Sequence, residues 1–161
     1  MKRLRIYLDT SVINFLFAED APDFMKVTRE FFEHHVREAR YAVFVSDVVL
    51  REIEKTPDAE KRGILFKVVQ DYGLSILTLS AEAEDLAKIY VRDGVIPERK
   101  LDDAMHIAIA TCQNIDVLLS WNFRHLANFR KQLAIRSINE REGYLHPLVL
   151  ANPTEVLDED D

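Results

Sequence analysis

Two hydrophobic periods alternate along the chain. Short runs rich in β-branched and aromatic residues read as strands: "RIYL" ending at Asp9, "YAVFV" ending at Ser46, "LSILTL" running to Ser80 and "VLLS" reaching Trp121, with "LAIRSI" as a candidate edge strand. Between them the apolar positions recur at helical spacing. Residues 22–40 set Phe24, Phe31, Phe32 and Val36 in one stripe, and residues 58–72 set Ile64, Leu65, Val68, Val69 and Tyr72 on one face. Ser80, followed by Glu82, Glu84 and Asp85, predicts a capped helix start, and Gly94 its stop. "SDVVLREIE" carries a core face of Val48, Val49 and Ile53, whereas "DDAMHIAIATC" has no continuous polar face and predicts a helix buried all round. Strands alternating with helices predict an α/β fold, a parallel sheet in a three-layer α/β/α sandwich.

No internal repeat or Gly/Pro/Ser-rich linker interrupts this pattern, which predicts one domain over residues 1–150 and an acidic C-terminal tail over 151–161. A chain of 161 residues buries enough apolar surface to fold without disulfides or a structural metal. The single cysteine, Cys112, offers neither a disulfide framework nor a Cys-based zinc site, which fits a reducing cytoplasm. "MKRLRIYLDTS" reaches Asp9 too soon for a signal-peptide core, and no stretch approaches the roughly 20 apolar residues of a membrane span, so no membrane association is expected. The net charge of -7 repels nucleic acid and argues against a simple nucleic-acid-binding module. A carboxylate cluster that gathers divalent cations would invert that sign locally.

The acids are therefore the chemistry to place. In open α/β sheets ligands collect outside the carboxyl ends of the strands. Asp9 directly follows the first strand, and Thr10 and Ser11 after it can orient a carboxylate; the same position also suits a helix N-cap. Glu52 lies about one and a half turns beyond Ser46, and Glu54 projects about 200° away from it, so at most one of them faces a site. Val48, Val49 and Ile53 leave Glu52 at the rim of the core, although a lone helical Glu is ordinarily a solvated charge. Asp102 and Asp103 open the buried helix. Capping could account for both, with Asp102 the better cap and Asp103 directed toward the interior end of a site. If Asp9, Glu52 and Asp103 converge, they form the oxygen-rich pocket that Mg²⁺ or Mn²⁺ requires.

"LDTSVI" at 8–13, "SDVVLREI" at 46–53, "DDAMHIAIAT" at 102–111 and "LLSWNFRHLANF" at 118–129 resemble, in order and spacing, the four motifs of PIN domains, including VapC-like toxin ribonucleases of bacterial toxin–antitoxin pairs. The resemblance implies a metal-dependent endoribonuclease that hydrolyses RNA phosphodiester bonds. It implies Asp9, Glu52 and Asp103 as catalytic, Mg²⁺- or Mn²⁺-holding acids, a small antitoxin protein as partner, and a homodimer. Many members carry Asp where this chain has Asn122; "SWNFRH" resembles a subgroup with Asn there, whose amide oxygen can ligate a cation but brings no charge. Asn122 is thus a fourth candidate catalytic residue, and Thr10, Ser120, Arg124 and His125 are candidate substrate contacts. The alternative is a catalytically degenerate PIN-like module that binds RNA or protein without cutting.

His106, one turn after Asp103, reads as a buried histidine satisfied by a carboxylate rather than a ligand, because hard oxygen-ligated cations do not seek imidazole. Trp121 could stack a base, but a strand-end tryptophan is more often core. Adjacent His34 and His35 face different directions on a helix. Neither a Walker loop nor a Rossmann fingerprint can be assembled from four glycines, and no serine sits in a G-x-S-x-G context. An aspartate-nucleophile phosphatase would need a second Asp where Ser11 stands.

Overall fold

The computed structural model describes residues 2–157. Five strands, β1 (Arg5–Leu8), β2 (Ala42–Ser46), β3 (Ser75–Leu77), β4 (Val117–Leu119) and β5 (Val149–Ala151), form one sheet. Among the described residues seven α-helices connect or cover them: α1 (Thr10–Asn14), α2 (Pro22–Phe31), α3 (Asp47–Glu54), α4 (Ala59–Asp71), α5 (Ala81–Arg92), α6 (Leu101–Cys112) and α7 (Phe129–Arg141). A π-helical turn, Phe32–Val36, extends α2, and 3₁₀ turns lie at Phe15–Phe17, Glu98–Lys100 and Pro153–Val156.

The sheet is parallel throughout, in the order β3-β2-β1-β4-β5. The chain starts at the centre, winds outward through β2 and β3, then returns to the other side of β1 for β4 and β5. Connections leave β1 and β4 in opposite directions, so a crevice opens between their carboxyl ends, the switch point at which such sheets bind ligands. Helices cover both faces, and β1 reads accordingly as an unbroken buried run of Ile6, Tyr7 and Leu8. Caps fix the helix starts: Ser46 accepts from Val48 and Val49 N–H, Asp58 from Glu60 and Lys61, Ser80 from Ala83, and Asn128 from Lys131. Each such cap contributes about 1 kcal/mol and sets the residue at which the helix begins. At Gly94 the chain turns away from α5 with φ 78°, a conformation that costs glycine little.

Four expectations change. "LAIRSI" lies within α7, where Ile135 and Ile138 are buried one turn apart and Asn128 caps the start; the edge strand is β5, whose three residues are too few to show alternation. The first turn of α6 begins after Lys100 with no side-chain cap, and Asp102 pairs with Arg51 at 3.2 Å instead. Ile64, placed on the core face of its helix by spacing, is exposed, while Leu65, Val68 and Val69 turn inward. The tail expected from residue 151 is folded as far as Val156, since Ala151 pairs with Leu119 in the sheet and Asn152 caps the last 3₁₀ turn; its acidic end, 158–161, lies outside the described residues. Among the described residues no helix is long and apolar enough to cross a membrane.

Candidate active site

The switch point carries a pocket of about 270 Å³ lined by Asp9, Thr10, Ser11, Asn14, Glu52, Asp103, His106 and Asn122. Three elements of the sheet and its connections bring these side chains together. Asp9 directly follows β1, Glu52 sits on the helix after β2, and Asp103 sits in the first turn of the helix that precedes β4.

Asp9 is both the cap of α1 and a wall of the pocket. It is only 4% exposed. Ser11 donates to its Oδ1 at 2.6 Å and Ser120 to its Oδ2 at 2.6 Å, while the Val12 N–H reaches Oδ1 at 3.4 Å. Burial raises the Asp9 pKa; His106 and the two serine hydrogen bonds oppose that rise without cancelling it. Ser120 is fully buried and also accepts the Asn122 N–H at 2.9 Å, so its hydroxyl serves the backbone of the site and the Asp9 carboxylate.

Glu52 Oε1 receives two hydrogen bonds, from Thr10 Oγ1 at 2.9 Å and from His106 Nε2 at 2.5 Å. Behind His106, its Nδ1 lies 2.6 Å from the Tyr7 hydroxyl, which lies 2.7 Å from Ser46 Oγ. The line Ser46–Tyr7–His106–Glu52 therefore runs from the core to the pocket and fixes the carboxylate's orientation. Burial would push the Glu52 carboxyl up, yet the hydrogen bond and charge of His106 outweigh it and hold the pKa below its ordinary value. His106 is the converse: burial works against its charge, but Glu52, then Asp9 and Asp103, raise its pKa. The two hydroxyls can reverse direction, so neutral and protonated imidazole are both satisfied. The reading of His106 as a buried histidine held by a carboxylate fits this geometry.

Asp103 is half-buried, and its carboxyl is pushed up to about 6, chiefly by burial and further by the charges of Asp9 and Glu52, with His106 opposing. Asn122 touches it: Nδ2 donates to Asp103 Oδ2 at 3.2 Å. The amide oxygen faces the other way and accepts the N–H groups of Arg124 at 3.2 Å and His125 at 3.1 Å. Backbone N–H groups only donate, so this orientation is fixed, and the amide oxygen closes the turn after β4. Of the candidate substrate contacts, Arg124 is exposed, Thr10 lines the pocket, and His125 is buried at 7% exposure.

Tyr7, Ser46 and Asn14 were not among the candidates. Tyr7 had one sequence signal, a hydroxyl in the middle of an otherwise apolar central strand, which must find a partner when buried. Which partner it finds depends on α6 packing beside it.

A family model described as PIN domain matches residues 6–130. No curated protein matches the chain in sequence. Among solved structures, the chain is similar to VapC20 of Mycobacterium tuberculosis, described as a sarcin–ricin-loop-cleaving toxin, with TM-score 0.60 and 15% identity over 88% of this chain and 97% of that one. It is also similar to VapBC2 of Rickettsia felis bound to a DNA fragment from its promoter, with TM-score 0.54 and 15% identity over 91% and 97% of the two chains. The fold is shared with both, and the matched segment contains every acid of the pocket. The chain belongs to the PIN domain family.

Proposed function

We propose that this chain is a divalent-cation-dependent endoribonuclease, with Asp9, Glu52, Asp103 and Asn122 as its catalytic residues. The observation that carries the reading is the meeting of three carboxylates from three elements in one pocket, two of them with raised pKa. Such a set is electrostatically costly by itself, and a hard cation is its natural compensation. Among the described residues no group of three or more His, Cys, Asp and Glu side chains stands close enough together to hold a metal ion as they are placed. The donor set nevertheless suits Mg²⁺ or Mn²⁺, which are held by one or two carboxylates while retaining several waters, and the pocket has room for them. A bound ion of this kind supplies charge neutralisation at the phosphoryl oxygens and an activated water.

The chain's own groups divide the remaining work. Ser11 and Ser120 hold Asp9, Thr10 and His106 hold Glu52, and Asn122 holds Asp103, so all three carboxylates are oriented before substrate arrives. The products are those of phosphodiester hydrolysis: water adds at phosphorus, and the leaving sugar oxygen takes up a proton. Incubating a mixed RNA pool with Mg²⁺, Mn²⁺ or chelator, with Asp9→Asn as control, tests this. Cleavage in metal only, absent from the variant, is the expected result; cleavage by the variant overturns it. We further read the chain as the toxin of a toxin–antitoxin pair, cytoplasmic and homodimeric, with a small antitoxin as partner. Co-purification with the product of a neighbouring small reading frame tests that.

One observation favours a second reading, a degenerate module that binds without cutting. Asn122 satisfies Asp103 with a neutral hydrogen bond, so the fourth corner of the pocket needs no cation. Metal-dependent turnover by the wild type excludes it.

Protons and the cation compete for the same oxygens, which fixes a pH dependence. Asp9 and Asp103 bind protons more tightly when folded, so their contribution to stability is lost as pH rises from the ordinary carboxyl value of 3.8 toward about 6 for Asp103. The raised His106 has the same sign, its contribution being present below 6.5 and lost as pH rises through its folded value. Glu52, lowered, has the opposite sign and contributes above 4.5. Mn²⁺ should therefore raise the melting temperature markedly at pH 8 and little at pH 5. Equal Mn²⁺ stabilisation at both values would show that the acids do not hold the ion.

A further inference from the structure

Four rings form a continuous cluster beside the carboxylate pocket. Trp121 is its hub, with ring centroids 4.6 Å from Phe24, 5.9 Å from Phe15 and 5.9 Å from Phe123; Phe24 and Phe123 are 6.0 Å apart. The cluster is tied to the site at both ends. Phe15 follows Asn14 and Phe123 follows Asn122, both pocket-lining residues. The Trp121 backbone N–H donates to Ser11 Oγ at 2.9 Å, and that hydroxyl donates to Asp9 at 2.6 Å.

Trp121 is buried, with its indole N–H on Thr28 Oγ1, so it forms the floor. The exposed ring faces belong to Phe24, 40% exposed, and Phe123, 46% exposed. The backbone around Phe123 is also tied down. Asn122 closes the turn on one side, and Asn128 Nδ2 donates to the carbonyls of Phe123 and Arg124, both at 2.9 Å, on the other. A fixed aromatic face kept in water beside an active site has a use when a second ring arrives to cover it.

The charge around it narrows the occupant. Arg124 is exposed directly after Phe123, and exposed Arg99 and Lys100 end the 3₁₀ turn that leads into α6, whose Asp103 lines the pocket, so cations of two segments lie near the site in a chain of net charge -7. Stacking faces beside gathered cations suit single-stranded nucleic acid, whose bases meet the rings while phosphates meet the cations. A duplex, with its bases already stacked on one another, cannot use the rings.

We propose that Phe123, backed by Trp121 and flanked by Phe24, is a stacking shelf for an unpaired base next to the scissile phosphate, with Arg124 and Lys100 taking neighbouring phosphates. The role weighed for Trp121 thus passes to the residue two places on. The proposal rests on the nuclease reading for what lies in the pocket, but its test reads binding separately from cleavage.

Trp121 is the only tryptophan, so its fluorescence reports occupancy of the shelf. The probes are a short single-stranded RNA and the same sequence as a duplex, titrated in an Asp103→Asn background that does not cut. The single strand should bind at least about tenfold more tightly than the duplex, and Phe123→Ala should weaken it by about 5- to 100-fold. Phe123→Tyr should restore affinity and Phe123→Leu should not, since leucine offers apolar area without a π face. In the cutting protein, Phe123→Ala should raise KM with kcat nearly unchanged. Equal binding of duplex, full affinity in Phe123→Leu, or a Phe123→Ala effect confined to self-association in sedimentation overturns the shelf. If Phe123→Ala cuts RNA with wild-type KM, the shelf fails and the nuclease reading stands. If wild type cuts nothing while Phe123-dependent single-strand binding persists, the reverse holds.

Discussion

Asp103→Asn should abolish RNA cleavage, a loss of at least about 10³-fold, and should make the metal-free protein more heat-stable at pH 7.5. At that pH the Asp103 carboxylate is ionised against its surroundings, because burial and the charges of Asp9 and Glu52 push its proton affinity up to about 6. An amide of the same shape removes the charge, and its oxygen can still accept from Asn122 Nδ2. Each kcal/mol of relieved repulsion is worth roughly 2–4 °C in a domain of this size. Asp9→Asn should lose cleavage equally but gain little stability. Both Asp9 oxygens accept hydrogen bonds, and an amide NH₂ would have to face the Ser120 or Ser11 hydroxyl that now donates to it. Calorimetry alongside a cleavage assay separates the two variants. Wild-type cleavage by Asp103→Asn would remove that residue from the site.

Asn122→Asp should tighten Mn²⁺ binding roughly tenfold or more, one pKa unit's worth of added interaction at the ion, and keep the enzyme active. The reason lies in the amide's orientation. One aspartate oxygen can replace Oδ1 on the Arg124 and His125 N–H groups, so the turn after β4 survives. The other would then face Asp103 Oδ2, where Nδ2 now donates, turning a hydrogen bond into a contact between two carboxylates. Without metal the variant should melt lower than wild type, and titration with Mn²⁺ should reverse the order. Unchanged metal affinity would place Asn122 outside the ion's reach. Activity gained only on substitution would make the wild-type chain the degenerate module.

The strand ends at Asp9 and Ser46, the capped helices and the apolar helix after Asp103 are local features, written in hydrophobic period and capping chemistry, and the structure reproduces them. Local patterning failed where it is weakest: a three-residue edge strand shows no alternation, and "LAIRSI" offers apolar residues to either period until Asn128 caps a helix before it.

What the sequence determined by itself is therefore the class of fold and a short set of acids at strand ends, because strand, helix and cap each depend on residues within a few positions. Tertiary structure alone decided that these acids share a pocket. Strand order is a long-range choice, and placing β4 beside β1 brings Ser120 onto Asp9 across 111 positions and Asn122 to Asp103. The same packing joined His106 to Tyr7 and Glu52, turned the Asn122 oxygen away from the pocket, and left Phe123 rather than Trp121 facing solvent. Each of those outcomes follows from which buried polar group finds which partner, and no spacing along the chain encodes that.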